Sequence, residues 1–409
     1  MDVKDTIAGT VMGARERLTE LSHRLHAHPE VAWSEERAAA WVSAELADAG
    51  FDVEAGACGL PTAFIARTGT GPLHVGICAE YDALPGLGHA CGHNIIAAAA
   101  VGAGLALAAA ADDLGLTVTV FGTPAEEGGG GKVYMLERGA FRGVHAAMMV
   151  HPGPVDVAEA RPFAVSHMLV RYRGQATHAA AYPERGVNAA DAFTIAQVAI
   201  GLLRQQLPPS TRVHGIITHG GDAPNIIPDR TEGRWYARAE TLHELAALEP
   251  RVRRCFAAGA LATGCELEIE VDAPPYAEFR NDPDLLPLYR ANAERLGRRF
   301  APPEGAAPGA GDPGAGGSGA GTTGDAAAAG RMNRASTDMG NVSLIVPSIH
   351  PYIGIGSLPA VNHQKEFAAH CVSPAADQAL VDGAIALAWT AADAALDETV
   401  RGRLLAGDH

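Results

Sequence analysis

Cys91 and His93 flank a single glycine in the segment His89-Ala90-Cys91-Gly92-His93-Asn94. A thiol and an imidazole one residue apart can be brought round a tight turn to one centre, because glycine tolerates the backbone such a turn needs. Further along stand the paired acids Glu126-Glu127 and then His151. Each piece alone has an ordinary explanation. A Cys-x-His pair is commonly incidental, adjacent acids favour the first turn of a helix, and a histidine after a strand is commonly a surface residue. Taken together they form a donor set for divalent metal, with thiolate and imidazole suited to zinc and carboxylate tolerating manganese or cobalt.

The elements before these residues give the combination its weight. Short β-rich runs at 74–79, 117–122 and 146–150 lead into Glu80 to His93, into Glu126-Glu127 and into His151. Open α/β sheets build their sites outside the carboxyl ends of their strands, so three such ends delivering these side chains to one edge is a pattern. Helices are expected at 11–26, at 34–49 with Ser34 as cap, over the Ala-rich run 95–111, from Lys132 to Arg138, at 284–300 and at 375–395. The alternation indicates an α/β fold with a mostly parallel central sheet. The middle of the chain instead reads strand 165–172, helix 187–207, strands 212–218 and 231–239, helix 242–262 and strand 266–271. That βαββαβ order is a compact two-layer, ferredoxin-like unit. The expected division is a metal-binding catalytic domain over 1–162 and 276–409, interrupted by a lid domain over 163–275. Residues 301–330 are almost entirely Gly, Ala, Pro, Ser, Thr and Asp and are expected to form a flexible loop.

Composition narrows the function classes. The chain has 409 residues, 31 Lys and Arg against 47 Asp and Glu, and a formal net charge of −16. With no basic stripe, a nucleic-acid partner is not expected. The N-terminus lacks the apolar core of a signal peptide, and the run 95–111 is short for a membrane span. Six scattered cysteines suggest reduced thiols and a cytoplasmic protein without a membrane partner. Gly128 to Gly131 before Lys132 does not make a phosphate loop, since Glu126 stands six positions before the lysine and Val133 follows it.

Seven segments carry a family resemblance: His26-Ala27-His28-Pro29-Glu30, Glu80-Tyr81-Asp82-Ala83-Leu84-Pro85, His89 to Asn94, Thr123 to Glu127, Gly174 to Ala180, Ala223 to Asp229 and Ser336 to Ser343. In this order, over nearly the whole chain, they resemble the co-catalytic metallopeptidases that include aminoacylases, glutamate carboxypeptidases and p-aminobenzoyl-glutamate hydrolases. The Cys-Gly-His branch, with auxin-conjugate amidohydrolases and aminoacylase-1-like-2 dipeptidases, is the nearest in pattern.

The resemblance implies a hydrolase of small N-acyl amino acids, aminobenzoyl-glutamate-like conjugates or dipeptides. It implies two divalent ions, zinc, manganese or cobalt, and a homodimer formed through the lid. The implied ligands are Cys91 as the bridge, His93 and His151 on one metal, and Glu127 with a late histidine on the other. His363 best fits the late position, with His350 and His370 as competitors. In this scheme a metal-bridging water attacks the amide and Glu126 is the general base. His178 reaches across the dimer to steady the oxyanion, and Asn225 contacts the substrate. Asp82 is either an orienting partner of a ligand histidine or a turn former, while His26 and His28 read as structural. Two departures stand out: Asn94 replaces the branch's frequent Asp, lowering the nearby charge, and 301–330 has no family counterpart. A carboxypeptidase releasing a C-terminal residue is the alternative enzyme, and an inactive metal-binding sensor the alternative class.

Overall fold

The computed structural model describes residues 2–300 and 335–407; the expected loop at 301–330 lies outside them. Strands β1 (Asp52–Ala55), β2 (Phe64–Thr68), β3 (Leu73–Ala79), β4 (Leu116–Gly122) and β5 (Ala146–Met148) precede β6 (His151–Gly153) and β7 (Ala164–Arg173). There follow β8 (Arg212–His219), β9 (Arg230–Ala239), β10 (Glu266–Tyr276), β11 (Ser348–Ile349) and β12 (Tyr352–Gly354). The larger sheet runs β1-β2-β4-β3-β5-β11. Its β4-β3, β3-β5 and β5-β11 pairings are parallel, and β1 and β2 add an antiparallel edge. β3 is buried along its whole length, as expected of a strand covered on both faces.

Small residues explain how this sheet is covered. The helix His93–Ala109 is buried on nearly every side and is rich in alanine. It packs against the Pro374–Leu396 helix, and both come close because alanine carries little bulk. A Cβ added to Gly102 would lie 3.0 Å from that of Ala384 and 2.9 Å from Leu18. The Pro374–Leu396 helix is long and apolar enough to cross a membrane by composition, but its apolar stretch is 89% buried inside the fold.

The second sheet, β10-β7-β9-β8, is antiparallel throughout. Helices Ala189–Leu203 and Leu242–Thr263 cover one of its faces and share an apolar core with it, including Phe193, Trp235 and Phe256. The chain enters this unit at Ala164 and leaves it at Tyr276.

Some local expectations are corrected. The first helix is two helices, Val3–Gly13 and Arg15–Ala27. Ser34 does not cap the next one, which starts at Glu36 with Glu35 at the cap position and no side-chain cap bond. The predicted strand 146–150 is split: β5 stops at Met148, and His151 begins β6 beside β12.

Candidate metal centre

Gly92 sets the local geometry at the first ligand pair. Its φ is +84°, and a Cβ there would lie 2.4 Å from Pro152, so only glycine fits this turn. Cys91 ends the loop after β3, and His93 opens the Ala-rich helix. Both side chains are buried. β4 runs parallel to β3, so its following turn brings Glu126 and Glu127 to the same edge. His151 comes from the adjoining β6, and His363 from the segment whose backbone N–H donates to the Ala90 carbonyl at 2.8 Å.

Two groups of donor atoms result, each within 4.8 Å of one another: Cys91, His93 and His151, and Cys91, Glu127 and His363. Cys91 belongs to both. A third grouping joins Glu80, His93 and Glu126. The Cys91 Sγ lies 3.4 Å from His151 Nε2, and His363 Nε2 lies 3.4 Å from Glu127 Oε1. His93 Nε2 and Glu127 Oε1 are buried without hydrogen-bond partners among the described residues. That is the state expected of atoms that face a cation, and the thiol, imidazole and carboxylate donors fit a divalent pair.

The surrounding residues orient these donors. Asp82 Oδ1 lies 3.0 Å from His93 Nδ1, while its Oδ2 accepts from the Glu127 backbone N–H at 2.9 Å. The Pro152 carbonyl lies 2.8 Å from His151 Nδ1. Each imidazole is thereby turned with Nε2 inward. Burial and Glu127 oppose ionisation of Cys91, yet His151, His363 and His93 outweigh them and hold its pKa at about 6. Burial raises the proton affinity of Glu126, and the charges of Glu80 and Glu127 raise it further.

The competing late histidines separate clearly. His370 ends a short helix and does not line the cleft. His350 does line it, buried and with both ring nitrogens unpartnered among the described residues, but joins neither donor group found there. Asn94 points away from the centre, donating to Ser22 Oγ and to the Cys371 carbonyl. The residue at this departure thus anchors its helix to Ser22 and Cys371. His26 Nε2 lies 2.8 Å from the Ala368 carbonyl, a packing role.

The cleft above the donors holds about 810 Å³, room for a dipeptide-sized molecule. Its far wall comes from the second sheet and includes His214, Tyr236 and Arg238. Arg238 donates to Ser336 Oγ at 2.6 Å and approaches His214, and no carboxylate pairs with it among the described residues. Sequence reasoning missed Arg238, because one arginine in an alternating strand looks like any solvated position. It also missed the buried Lys132, whose Nζ donates to Glu80 Oε1 at 2.6 Å and to Asp338 Oδ1 at 2.7 Å. His178 and Asn225 are not brought to the cleft: both are exposed, on two separate loops that meet where the Ala179 N–H donates to the Asn225 carbonyl.

Residues 76–319 match the model of peptidase family M20/M25/M40. The Xaa-Arg dipeptidase of Mus musculus is 40% identical over 96% of this chain and 88% of its own length. The chain belongs to peptidase family M20/M25/M40. It is a metal-dependent hydrolase of amide bonds. A second relative, a component of the p-aminobenzoyl-glutamate hydrolase of Escherichia coli, is 32% identical over 63% of this chain and 58% of that one. Among solved M20 structures, a dinuclear metal-binding peptidase from Bacillus subtilis superposes with a TM-score of 0.58 at 20% identity, over 91% of this chain and 98% of that one. The fold is thus the M20 fold.

Proposed function

We propose that the chain hydrolyses a dipeptide or small N-acyl amino acid, and that Cys91, His93, His151, Glu127 and His363 hold two divalent ions, zinc, manganese or cobalt. The observation that carries the reading is one thiol common to two donor triads at the floor of a cleft. Bound there, such ions polarise an amide carbonyl and make water a stronger acid. Glu126 stands beside them in the cleft wall with its carboxylate 3.7 Å from His93 Nε2. It accepts the proton of the attacking water and delivers it to the leaving amine. Glu127, committed to the cradle, cannot do both. Arg238 supplies a positive charge for the carboxylate of the released amino acid, and this supports a substrate with a free C-terminus. The names of the relatives, a dipeptidase and an acyl-glutamate hydrolase, support the same class.

The segment 163–275 is read as a lid that also joins two copies in a homodimer. β8 pairs only with β9 among the described residues. Beside that edge, Val198 and Leu202 of the helix Ala189–Leu203 are 60% and 69% exposed. An open edge flanked by apolar side chains supports a copy-to-copy surface. In that arrangement His178 and Asn225 serve the partner's cleft, His178 as oxyanion donor. The free thiols of all six cysteines support a cytoplasmic setting.

The test is Glu126→Gln. It should keep bound metal and fold while losing about 10²–10⁴-fold in kcat on N-acyl amino acids and dipeptides. A variant that stays fully active contradicts the assignment of the base.

A further inference from the structure

Glu126 sits in the turn 124–128, outside any helix or strand. Preceding it, Ala125 has a φ of +57°, a left-handed conformation that side chains with a Cβ disfavour. Something must hold that turn. Asp82 holds one end through the Glu127 N–H, and Tyr276 donates its hydroxyl to the Glu126 carbonyl at 2.8 Å. The Ala125 N–H itself donates to Glu35 Oε1 at 2.8 Å.

Glu35 lies far off in sequence and is fully buried. The same Oε1 accepts from the Trp33 N–H at 3.0 Å, and Oε2 accepts from Thr62 Oγ1 at 2.9 Å. A short side chain such as Asp or Ser at a helix cap position turns back to the helix N–H groups. Glu35 does not cap its helix and instead spends both oxygens on three donors, one of them the strained residue before Glu126. Close packing leaves the turn little alternative. A Cβ on Gly129 would lie 2.5 Å from Ala125 Cβ and 2.7 Å from Trp33 Nε1.

We propose that Glu35 is a positioning residue for Glu126, its carboxylate fixing the left-handed turn that aims the Glu126 side chain into the cleft. The inference rests on Glu126 acting as the proton carrier. Holding a proton carrier at hydrogen-bond reach of the reacting atoms is worth large factors in rate, since a displacement of about 1 Å can cost about 10²-fold.

The experiment compares E35A, E35D, E35Q and E126Q as full-length, metal-loaded proteins, reading kcat, KM and bound metal together. E35A removes the acceptor, and E35D withdraws it by one methylene while keeping the charge. Both should lose about tenfold or more in kcat, with KM and metal content within roughly twofold of the parent. E35Q should stay within roughly threefold in kcat, because its amide oxygen can serve the two backbone N–H groups while its NH₂ faces Thr62 Oγ1. A fold-stabilising role alone would lower melting temperature and leave kcat per loaded site unchanged. If E35A fails to fold, E35D carries the comparison. Full kcat in E35D, or a tenfold loss in E35Q, overturns the inference. An active E126Q removes the base reading and this inference with it, whereas an inactive E126Q beside a fully active E35D removes only the inference.

Discussion

Asp82 shows how much a single side chain can organise. One oxygen faces the His93 imidazole and the other the Glu127 N–H, so it orients a donor in each of the two triads. The sequence left it open between an orienting residue and a turn former, since an Asp before Ala-Leu-Pro suits both. Asp82→Asn keeps the shape but puts an NH₂ where one of the two hydrogen donors already points. It should weaken metal affinity by about 10–100-fold, measured by competition with a chromogenic chelator, while the circular dichroism spectrum stays that of the parent. Unchanged affinity would return Asp82 to the turn-forming role. At this same scale Arg238 and Lys132 escaped notice because their significance lies in what is absent or present around them. Among the described residues the first lacks an acid partner and the second has two.

Elements were legible where periodicity and strand order agree. The strands that carry Cys91, Glu126 and Glu127 were read from alternating or continuous apolar runs, and the structure puts them in parallel neighbours β3 and β4. The ferredoxin-like unit was read from its order of strands and helices. β1 was missed, since Asp52-Val53-Glu54-Ala55 is short and mostly exposed and carries no apolar signal. His151 was placed after one strand and begins another, because the gap at 149–150 has no Gly or Pro to announce it. The edge strand β8 supports a dimer, and that proposal has its own test. Variants H178A and E126Q, each inactive alone, should recover about a quarter of parental activity when unfolded together, mixed and reassembled, because half the dimers then hold one complete site. No recovery in a sample shown to contain mixed dimers contradicts the reach of His178 into the partner's cleft.

Across the whole molecule, burial of histidines away from the centre ties stability to pH. His74 is buried against Thr119 and the Gly143 carbonyl. Burial, aided by the Arg67 charge, lowers its pKa to about 4, below the value of about 6.5 in an unfolded chain. The unfolded state therefore binds the extra proton between these values. The stability from neutral His74 is complete above about pH 6.5 and is lost as pH falls towards 4. Urea unfolding of the metal-free protein should show this decline, and His74→Asn should remove about one proton from its slope; an unaltered slope contradicts it. The central claim concerns the centre itself, one thiolate common to two metal positions, and a titration of metal-free protein with Co²⁺ tests it most directly. The prediction is uptake of two ions per chain, with a sulfur-to-cobalt charge-transfer band that is abolished in Cys91→Ser. Saturation at a single ion, or a band that survives in Cys91→Ser, would contradict it.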